Sequence, residues 1–172
     1  REREHGTIEH LLVMPVTPLE IMVSKIWSMG LVVLVASAVS LLYVVEGVLA
    51  VPIQGSMPLF LFGVVLHLFA TTCMGIFLAT VAGTMPQFGL LLMLTLLPLQ
   101  ALSGGLTPRE SMPQIIQDIM LLAPNTHFVS LAQSILFRGA GIDVVWPQLL
   151  ALLAIGSVLF VFSLGRFRRF LR

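Results

Sequence analysis

The sequence predicts an all-α, polytopic helical membrane protein with four transmembrane helices, an N-terminal amphipathic helix and short re-entrant helices on the outer side. Hydrophobic residues make up 58% of the chain and charged residues only 10%, far below the roughly one-quarter that is usual in soluble domains. No charged residue lies between Glu46 and Arg109, and this stretch can hold at least two spans of about 20 residues each. Prolines and capping residues divide the apolar sequence into separate helices.

Residues 1–16 are predicted to form a cytoplasmic amphipathic helix. Ile8, Leu11 and Leu12 lie at i, i+3 and i+4 among charged or polar neighbours, which is the spacing of one apolar helical face. This apolar face is too short to cross a bilayer. Pro15 interrupts the helix, because proline lacks an amide hydrogen and clashes with the preceding turn.

Residues 17–172 are predicted to form the transmembrane domain. Its four predicted spans are residues 22–45, 57–83, 87–103 and 144–165. Thr17 and Glu20 form a capping box for the first span, with Pro18 at the first helical position. A turn at Glu46 and Gly47 is expected to end that span. Residues 84–87 resemble a second capping box, Pro98 should kink the third span, and Asp143 is expected to cap the fourth.

Residues 107–138 are predicted to lie on the outer side without spanning the membrane. Pro108, Pro113 and Pro124 divide this region into apolar pieces of about ten to fourteen residues, which suit re-entrant or interfacial helices. Two such helices are predicted near residues 113–122 and 126–137, with Thr107 and Ser111 as candidate caps. His127 is interpreted as a loop or cap residue.

The distribution of basic residues predicts that both termini are cytoplasmic. Four spans return the chain to the side on which it began, and cytoplasmic segments of membrane proteins carry an excess of Lys and Arg. With both termini inside, the inner side holds Arg1, Arg3, Lys25, Arg166, Arg168, Arg169 and Arg172, and the outer side holds Arg109 and Arg138. Residues 166–172 are then a basic cytoplasmic tail that anchors the last span against anionic lipid.

A stripe of small residues in the second span is predicted to pack against another helix. Thr71, Gly75, Ala79 and Gly83 occur at every fourth position, which allows a second backbone to approach closely. Packing within the chain is favoured over a subunit interface, although such a stripe does not name its partner. Cys73 is interpreted as a small packing residue, because free cysteine is usually buried and inert.

Residues that could carry chemistry are few and poorly spaced. His5, Glu9 and His10 do not match a metalloprotease helix, which requires histidines at i and i+4, so no metal site is predicted. His67 in the second span is interpreted as a neutral imidazole hydrogen-bonded to a neighbouring helix rather than a proton relay. Ser103 before two glycines could belong to an intramembrane serine enzyme, but a helix end with glycine in a left-handed conformation is favoured.

The N-terminal segment carries a family resemblance. Residues 2–21 match the pattern ERE-x-G-T-x-E-x-L-L-x-x-P-x-x-x-x-E-I, which resembles the corresponding segment of type-2 ABC exporter permeases of the bacterial multidrug and antibiotic exporter branch. Support comes from residues 97–104, which resemble a late span of that family, and from the prolines of residues 107–138. The resemblance extends over essentially the whole chain but over only the C-terminal half of a family member.

The resemblance implies a role for the N-terminal helix. In such permeases this segment is a coupling helix seated on the ATPase subunit, so the expected contact residues are Glu2, Glu4, Gly6, Thr7 and Glu9. The four spans would be the third to sixth of a family member, and the chain would lack its first two spans and the intervening extracytoplasmic domain. ATP and magnesium would be bound by the partner, because no GxxxxGK[ST] phosphate-binding loop is present in this chain.

The sequence therefore predicts the C-terminal part of a permease subunit, not an enzyme, in the bacterial inner membrane. Its expected partners are the lipid bilayer, an ATP-binding-cassette ATPase subunit and a second permease subunit in a homodimer or heterodimer. Nucleic acid is not an expected partner, and no cofactor is expected to bind this chain. Two alternatives remain open at this stage: an intramembrane serine-type enzyme that uses Ser103 or His67, and a truncated remnant that does not transport.

Overall fold

The structure, a computed structural model, describes residues 18–48, 50 and 52–170. Within these residues the protein is helical and contains no β-strand. The helices are α1 (Pro18–Val39), a π-helical continuation (Ser40–Val48), α2 (Met57–Val81), α3 (Met85–Ala101), a 3-10 turn (Arg109–Ser111), α4 (Gln114–Met120), α5 (Pro124–Arg138) and α6 (Ile142–Phe170). The all-α fold class is confirmed.

Three helical segments of the described chain are long and apolar enough to cross a membrane. They are Ile26–Val48, Met57–Val81 and Ile142–Arg166, of 23, 25 and 25 residues. They correspond to the first, second and fourth predicted spans. The third predicted span is α3, a helix of 17 residues, which is at the short end of the range for a spanning helix. The total of four spans therefore stays a prediction.

The first span does not end at Glu46 and Gly47, so the predicted turn at this position is wrong. The chain stays helical through Val48 in a π-helical segment of nine residues. One glycine inside a helix costs only about 1 kcal/mol relative to alanine. No proline lies between Pro18 and Pro52, so no backbone hydrogen bond of this helix is lost to proline. Glu46 therefore lies within the helical region.

Side-chain caps explain where α2 and α3 begin. The Ser56 hydroxyl accepts a hydrogen bond from the Leu59 amide at 3.4 Å. The Thr84 hydroxyl accepts one from the Gln87 amide at 3.4 Å, and the Gln87 side chain accepts one from the Gly83 amide at 2.8 Å. The Thr84 half of the predicted capping box at residues 84–87 is formed, whereas the Gln87 side chain binds the amide of Gly83, the residue before the cap.

Two helices are present where two were predicted, as α4 and α5, and they meet at an angle of 91°; their re-entrant character stays a prediction. His127 lies inside α5 rather than in a loop, and its Nε2 atom is 2.8 Å from the Leu121 carbonyl oxygen beyond the end of α4. A carbonyl only accepts hydrogen bonds, so this ring nitrogen must donate. The contact ties together the two sides of the bend.

Several predicted helix caps are wrong. Pro113 occupies the cap position of α4 and Pro108 that of the 3-10 turn, both without a side-chain hydrogen bond. The Ser111 hydroxyl instead donates to the Pro108 carbonyl at 2.7 Å. Asp143 lies in the first turn of α6 rather than before it, where its charge still faces the positive end of the helix dipole.

The core is built by α2, α5 and α6, with α1 packed mainly against α2. Its buried side chains include Phe60, Val64, Leu131, Ile135, Val145, Leu149 and Leu152. These residues lie in the first halves of α2 and α6 and in the second half of α5. Burial of such side chains is the main contribution to the association of these three helices, together with the close packing described below.

Helices α2 and α6 run parallel to each other. The rings of Phe69 and Phe160 lie 5.9 Å apart between centroids, and further along both helices the Ser163 hydroxyl donates to the Cys73 carbonyl at 3.0 Å. Residues further along α2 therefore contact residues further along α6, so the two helices point in the same direction. Helix α5 runs in the opposite direction, because its C-terminal Leu136 carbonyl accepts a hydrogen bond at 3.1 Å from Gln54, which precedes α2.

Candidate functional site

The predicted ATPase-contact surface lies outside the described residues. It consists of Glu2, Glu4, Gly6, Thr7 and Glu9, and the structure describes the chain from residue 18. The assignment of residues 1–16 to an amphipathic coupling helix consequently stays a prediction. The first described element is α1, which is helical from Pro18, the first described residue, so the predicted helix start at Thr17 and Pro18 stays a prediction.

The predicted small-residue stripe does not receive a closely packed helix along its length. A Cβ atom added to Gly75 would have no atom within 4 Å beyond its own helix and chain neighbours, and Ala79 is exposed. The Thr71 hydroxyl donates within its own helix to the His67 carbonyl at 2.9 Å. Gly83 lies in the turn after α2. The stripe is thus open along α2, and its role in helix packing stays a prediction.

A close contact joins α2 to α6. A Cβ atom added to Gly156 would lie 2.6 Å from Cδ1 of Phe69 and 3.3 Å from Cα of Ala70. Cys73 is fully buried at the same contact, as predicted for a packing residue. Sequence reasoning missed Gly156, although Gly156 and Ser163 are seven residues apart, a spacing that places two small residues on one helical face.

A second close contact joins α2 to α5. A Cβ atom added to Gly63 would lie 2.6 Å from Cδ2 of Leu131, and Leu131 is fully buried. A Cβ atom added to Gly55, in the loop before α2, would collide with the carbonyl group of Ile135. Glycine at these positions allows α5 to lie directly against α2.

His67 contacts a neighbouring helix by ring stacking. Its imidazole and the Phe128 ring have centroids 4.3 Å apart and an interplanar angle of 13°. The Nδ1 atom is buried and has no hydrogen-bond partner among the described residues. The expected contact with a neighbouring helix is therefore formed, but through an aromatic face rather than the predicted hydrogen bond at this nitrogen.

Ser103 does not form a catalytic pair with His67. Its hydroxyl donates to the Gln100 carbonyl at 3.0 Å, just beyond the end of α3, and no hydrogen bond joins it to a histidine in the part of the chain that the structure describes. Gly104 follows with a φ of +96°, which confirms the expected glycine in a left-handed conformation at this helix end. Among residues 18–48, 50 and 52–170, the serine-enzyme alternative thus finds no hydrogen-bonded pair of Ser103 and a histidine base.

A polar cavity of about 380 Å³ lies between the loop after α3 and the first half of α5. Its walls include Ser103, Arg109, Glu110, Thr126, Ser130 and Gln133. The walls of the cavity come from this loop and from α5, and sequence reasoning missed the cavity.

No metal centre is formed by the described residues: no group of three or more His, Cys, Asp or Glu side chains among them could hold an ion. His5, Glu9 and His10 lie outside the described range. That this chain binds no cofactor stays a prediction.

Comparison with known proteins identifies relatives along almost the whole chain. Residues 1–137 match the family model described as ABC-2 type transporter. The chain is 69% identical over 98% of its length to the "Inner membrane transport permease YhhJ" of Escherichia coli strain K12, and it covers 45% of that protein. It is 30% identical over 98% of its length to the "Probable multidrug ABC transporter permease YbhR" of the same strain, covering 46% of it.

A third similar protein is the "Probable multidrug ABC transporter permease YbhS" of Escherichia coli strain K12, with 32% identity over 94% of this chain and 42% of that protein. The chain thus spans about half the length of the curated relatives that it matches. No solved structure matches it.

Proposed function

Because this chain belongs to the ABC-2 type transporter family, we propose that it is the membrane-spanning permease part of an ATP-binding-cassette exporter. The observation that carries the proposal is the family match over residues 1–137. The predicted localisation, as a multi-pass protein of the bacterial inner membrane, is confirmed by the inner-membrane relative and by the long apolar helices. A separate ATPase subunit would bind ATP and magnesium, and a second permease subunit would complete the assembly as a homodimer or heterodimer.

The exported substrate is proposed to be hydrophobic or amphipathic. Two of the relatives are named probable multidrug permeases, and the helices of this chain offer apolar surfaces with scattered polar groups, as is common in small-molecule sites. No bond-making step is assigned to the chain. Its role would be to change the shape of the pathway while the partner hydrolyses ATP.

The proposed mechanism is mechanical coupling. Closure of the ATPase dimer on nucleotide would shift residues 1–16, and α1 would transmit the shift to the bundle as a rigid element. Two features support this route. Helix α1 is helical from the first described residue, Pro18, which follows the predicted coupling segment closely in sequence, and it contacts α2, the central helix of the core.

The parallel arrangement of α2 and α6 supports four spans. Two parallel spans require an odd number of membrane crossings between them. If α3 crosses once and the bent pair α4 and α5 enters and leaves on one side, α2 and α6 are parallel, as observed. A single crossing by the bent pair, with α3 not crossing, would also leave α2 and α6 parallel, whereas crossings by both would make them antiparallel. We propose α3 as the third span and the pair as a re-entrant loop, because a helix of 17 residues is within the range for a spanning helix; both termini of the chain are then cytoplasmic.

Single cysteines at three positions should separate these two topologies. In a Cys73→Ala background, a membrane-impermeant maleimide added to intact spheroplasts is expected to label Leu106→Cys and Gly141→Cys but not Gly83→Cys, which should react only after permeabilisation. Gly141 has open space around it and Leu106 is 77% exposed. Labelling of Leu106→Cys on the same side as Gly83→Cys, with Gly141→Cys on the opposite side, would mean that the bent pair spans the membrane and α3 does not.

Co-purification tests the proposed partner. The affinity-tagged full-length protein, solubilised in an uncharged detergent, is expected to retain an ATPase subunit that carries a GxxxxGK[ST] loop, in about equal amounts. The purified complex should hydrolyse ATP. A protein that folds and inserts but retains no ATPase in its native host would contradict the proposal and favour the truncated, non-transporting alternative.

A further inference from the structure

We propose that the polar cavity between the loop after α3 and the first half of α5 is a binding site for an oxyanion group, such as the phosphate of an amphipathic molecule. The site goes beyond the proposed transport function, and its occupancy does not depend on transport. The cavity volume of about 380 Å³ is within the range of small-molecule sites. It can hold a head group together with the first atoms of an attached chain.

The first observation is a cation without a partner. Arg109 lines the cavity, and no carboxylate of the described residues is within salt-bridge distance of its guanidinium. A guanidinium that lines a polar cavity, with no described carboxylate at salt-bridge distance, is free to bind an anionic ligand there. A guanidinium presents several donors in a fork that fits an oxyanion.

The stem of Arg109 is held in place by Gly104. A Cβ atom added to Gly104 would lie 3.3 Å from Cγ and 3.6 Å from Cδ of Arg109. Gly104 also has a φ of +96°, a conformation that glycine adopts without a steric penalty. The loop therefore places the arginine stem against bare backbone, so the position of the head group is partly fixed before a ligand arrives.

The second, independent observation is a buried hydroxyl that lacks a partner. Thr126 lines the cavity and is only 1% exposed, yet its Oγ1 atom has no hydrogen-bond partner among the described residues. Leaving a polar group buried without a hydrogen bond costs about 1–3 kcal/mol. Thr71, Thr80 and Thr95 avoid this cost by donating to carbonyls of their own helices. A ligand oxygen in the cavity would accept the Thr126 hydroxyl hydrogen.

The start of α5 adds a favourable field at the same place. Thr126 is the third residue of this 15-residue helix, and no side chain caps its N-terminus. The free amides and the positive end of the helix dipole favour an anion there. Glu110 also lines the cavity but is exposed, so its carboxylate faces solvent at the rim, where it opposes an anion weakly.

Native mass spectrometry of the full-length protein in dodecyl maltoside tests the site. We expect phosphatidylglycerol to bind with an affinity that falls about tenfold in Arg109→Gln, as expected for loss of a charge-assisted hydrogen bond, and about threefold in Thr126→Val. The matched control is Arg138→Gln, because Arg138 is exposed at the other end of α5 and does not line the cavity. It should leave the affinity unchanged.

Competition distinguishes the two sources of the oxyanion. If inorganic phosphate at millimolar concentration displaces phosphatidylglycerol, the phosphate group alone suffices; if it does not, the ligand is an amphipathic phosphate held also through its chain. Either result supports the site, provided that Arg109→Gln weakens binding. Equal losses in Arg109→Gln and Arg138→Gln would overturn the proposal, since they would indicate only diffuse charge attraction. No loss in either Arg109→Gln or Thr126→Val, with unchanged thermal unfolding, would overturn it as well.

Discussion

The substitution Gly156→Leu is expected to prevent the protein from folding stably. A side chain at this position would collide with the Phe69 ring, 2.6 Å from the added Cβ, and with the Ala70 backbone at 3.3 Å. The ring can turn only at the cost of its contact with Phe160, and the backbone can yield only by separating α2 from α6. We expect a loss of about 3 kcal/mol or more, at the upper end of the range for overpacking. Unfolding in mixed detergent micelles, followed by tryptophan fluorescence, measures it.

Gly75→Leu is the matched control for this change. The two glycines lie in apolar helices, but Gly75 has no atom within 4 Å of an added Cβ. Its replacement should alter the free energy of unfolding of the subunit by less than about 0.5 kcal/mol. Similar losses in both variants would contradict the packing described here. If Gly75→Leu weakens assembly of the complex without affecting the subunit, the small-residue stripe of α2 has its predicted packing role with another chain.

Reversal of charge at Glu4 and Glu9 is expected to uncouple the ATPase from the permease. The family resemblance implies that both carboxylates contact the ATPase subunit, and opposing charges across an interface cost several kcal/mol. In the full-length protein, Glu4→Lys with Glu9→Lys should reduce permease-dependent stimulation of ATP hydrolysis roughly tenfold or more. The measurement is the ATPase rate of the two subunits mixed in proteoliposomes.

Glu46→Lys provides the control for charge reversal. Glu46 is exposed near the end of the π-helical segment, on the predicted outer side, so its reversal should leave stimulation unchanged. Unaltered stimulation in the double variant, with normal membrane insertion, would remove these glutamates from the contact surface. A drop of equal size for Glu46→Lys would indicate general destabilisation instead of a lost contact.

Local signals in the sequence were sufficient to predict most helix boundaries. Proline at position 18, the Thr84 and Gln87 capping pair, and the prolines between residues 107 and 138 act on their own neighbours, so their effect can be interpreted without knowing the fold. The presence of two short helices here, α4 and α5, followed from length and proline spacing. The turn at Gly47 failed because one glycine is too weak a signal to end a long apolar helix.

Contacts between helices were not predictable in the same way. The small-residue stripe of α2 was visible in the sequence, whereas the contacts that bring α2 close to its neighbours occur at Gly63 and Gly156. Whether a glycine lies against a second backbone depends on the rotation of each helix, which local spacing leaves open. The cavity required both Arg109 and Thr126, which are brought together only because α5 turns back alongside α2.

ATP-dependent transport is the most direct test of the central claim, that this chain is the membrane part of an ATP-driven exporter. Inside-out vesicles that contain the full-length protein and its ATPase subunit would be assayed with a panel of labelled amphipathic compounds. The account predicts uptake of at least one compound that requires ATP, requires both subunits and is lost in the Glu4→Lys, Glu9→Lys variant. Vesicles in which the complex hydrolyses ATP at a permease-stimulated rate, while no compound accumulates above the level of vesicles without the permease, would contradict it.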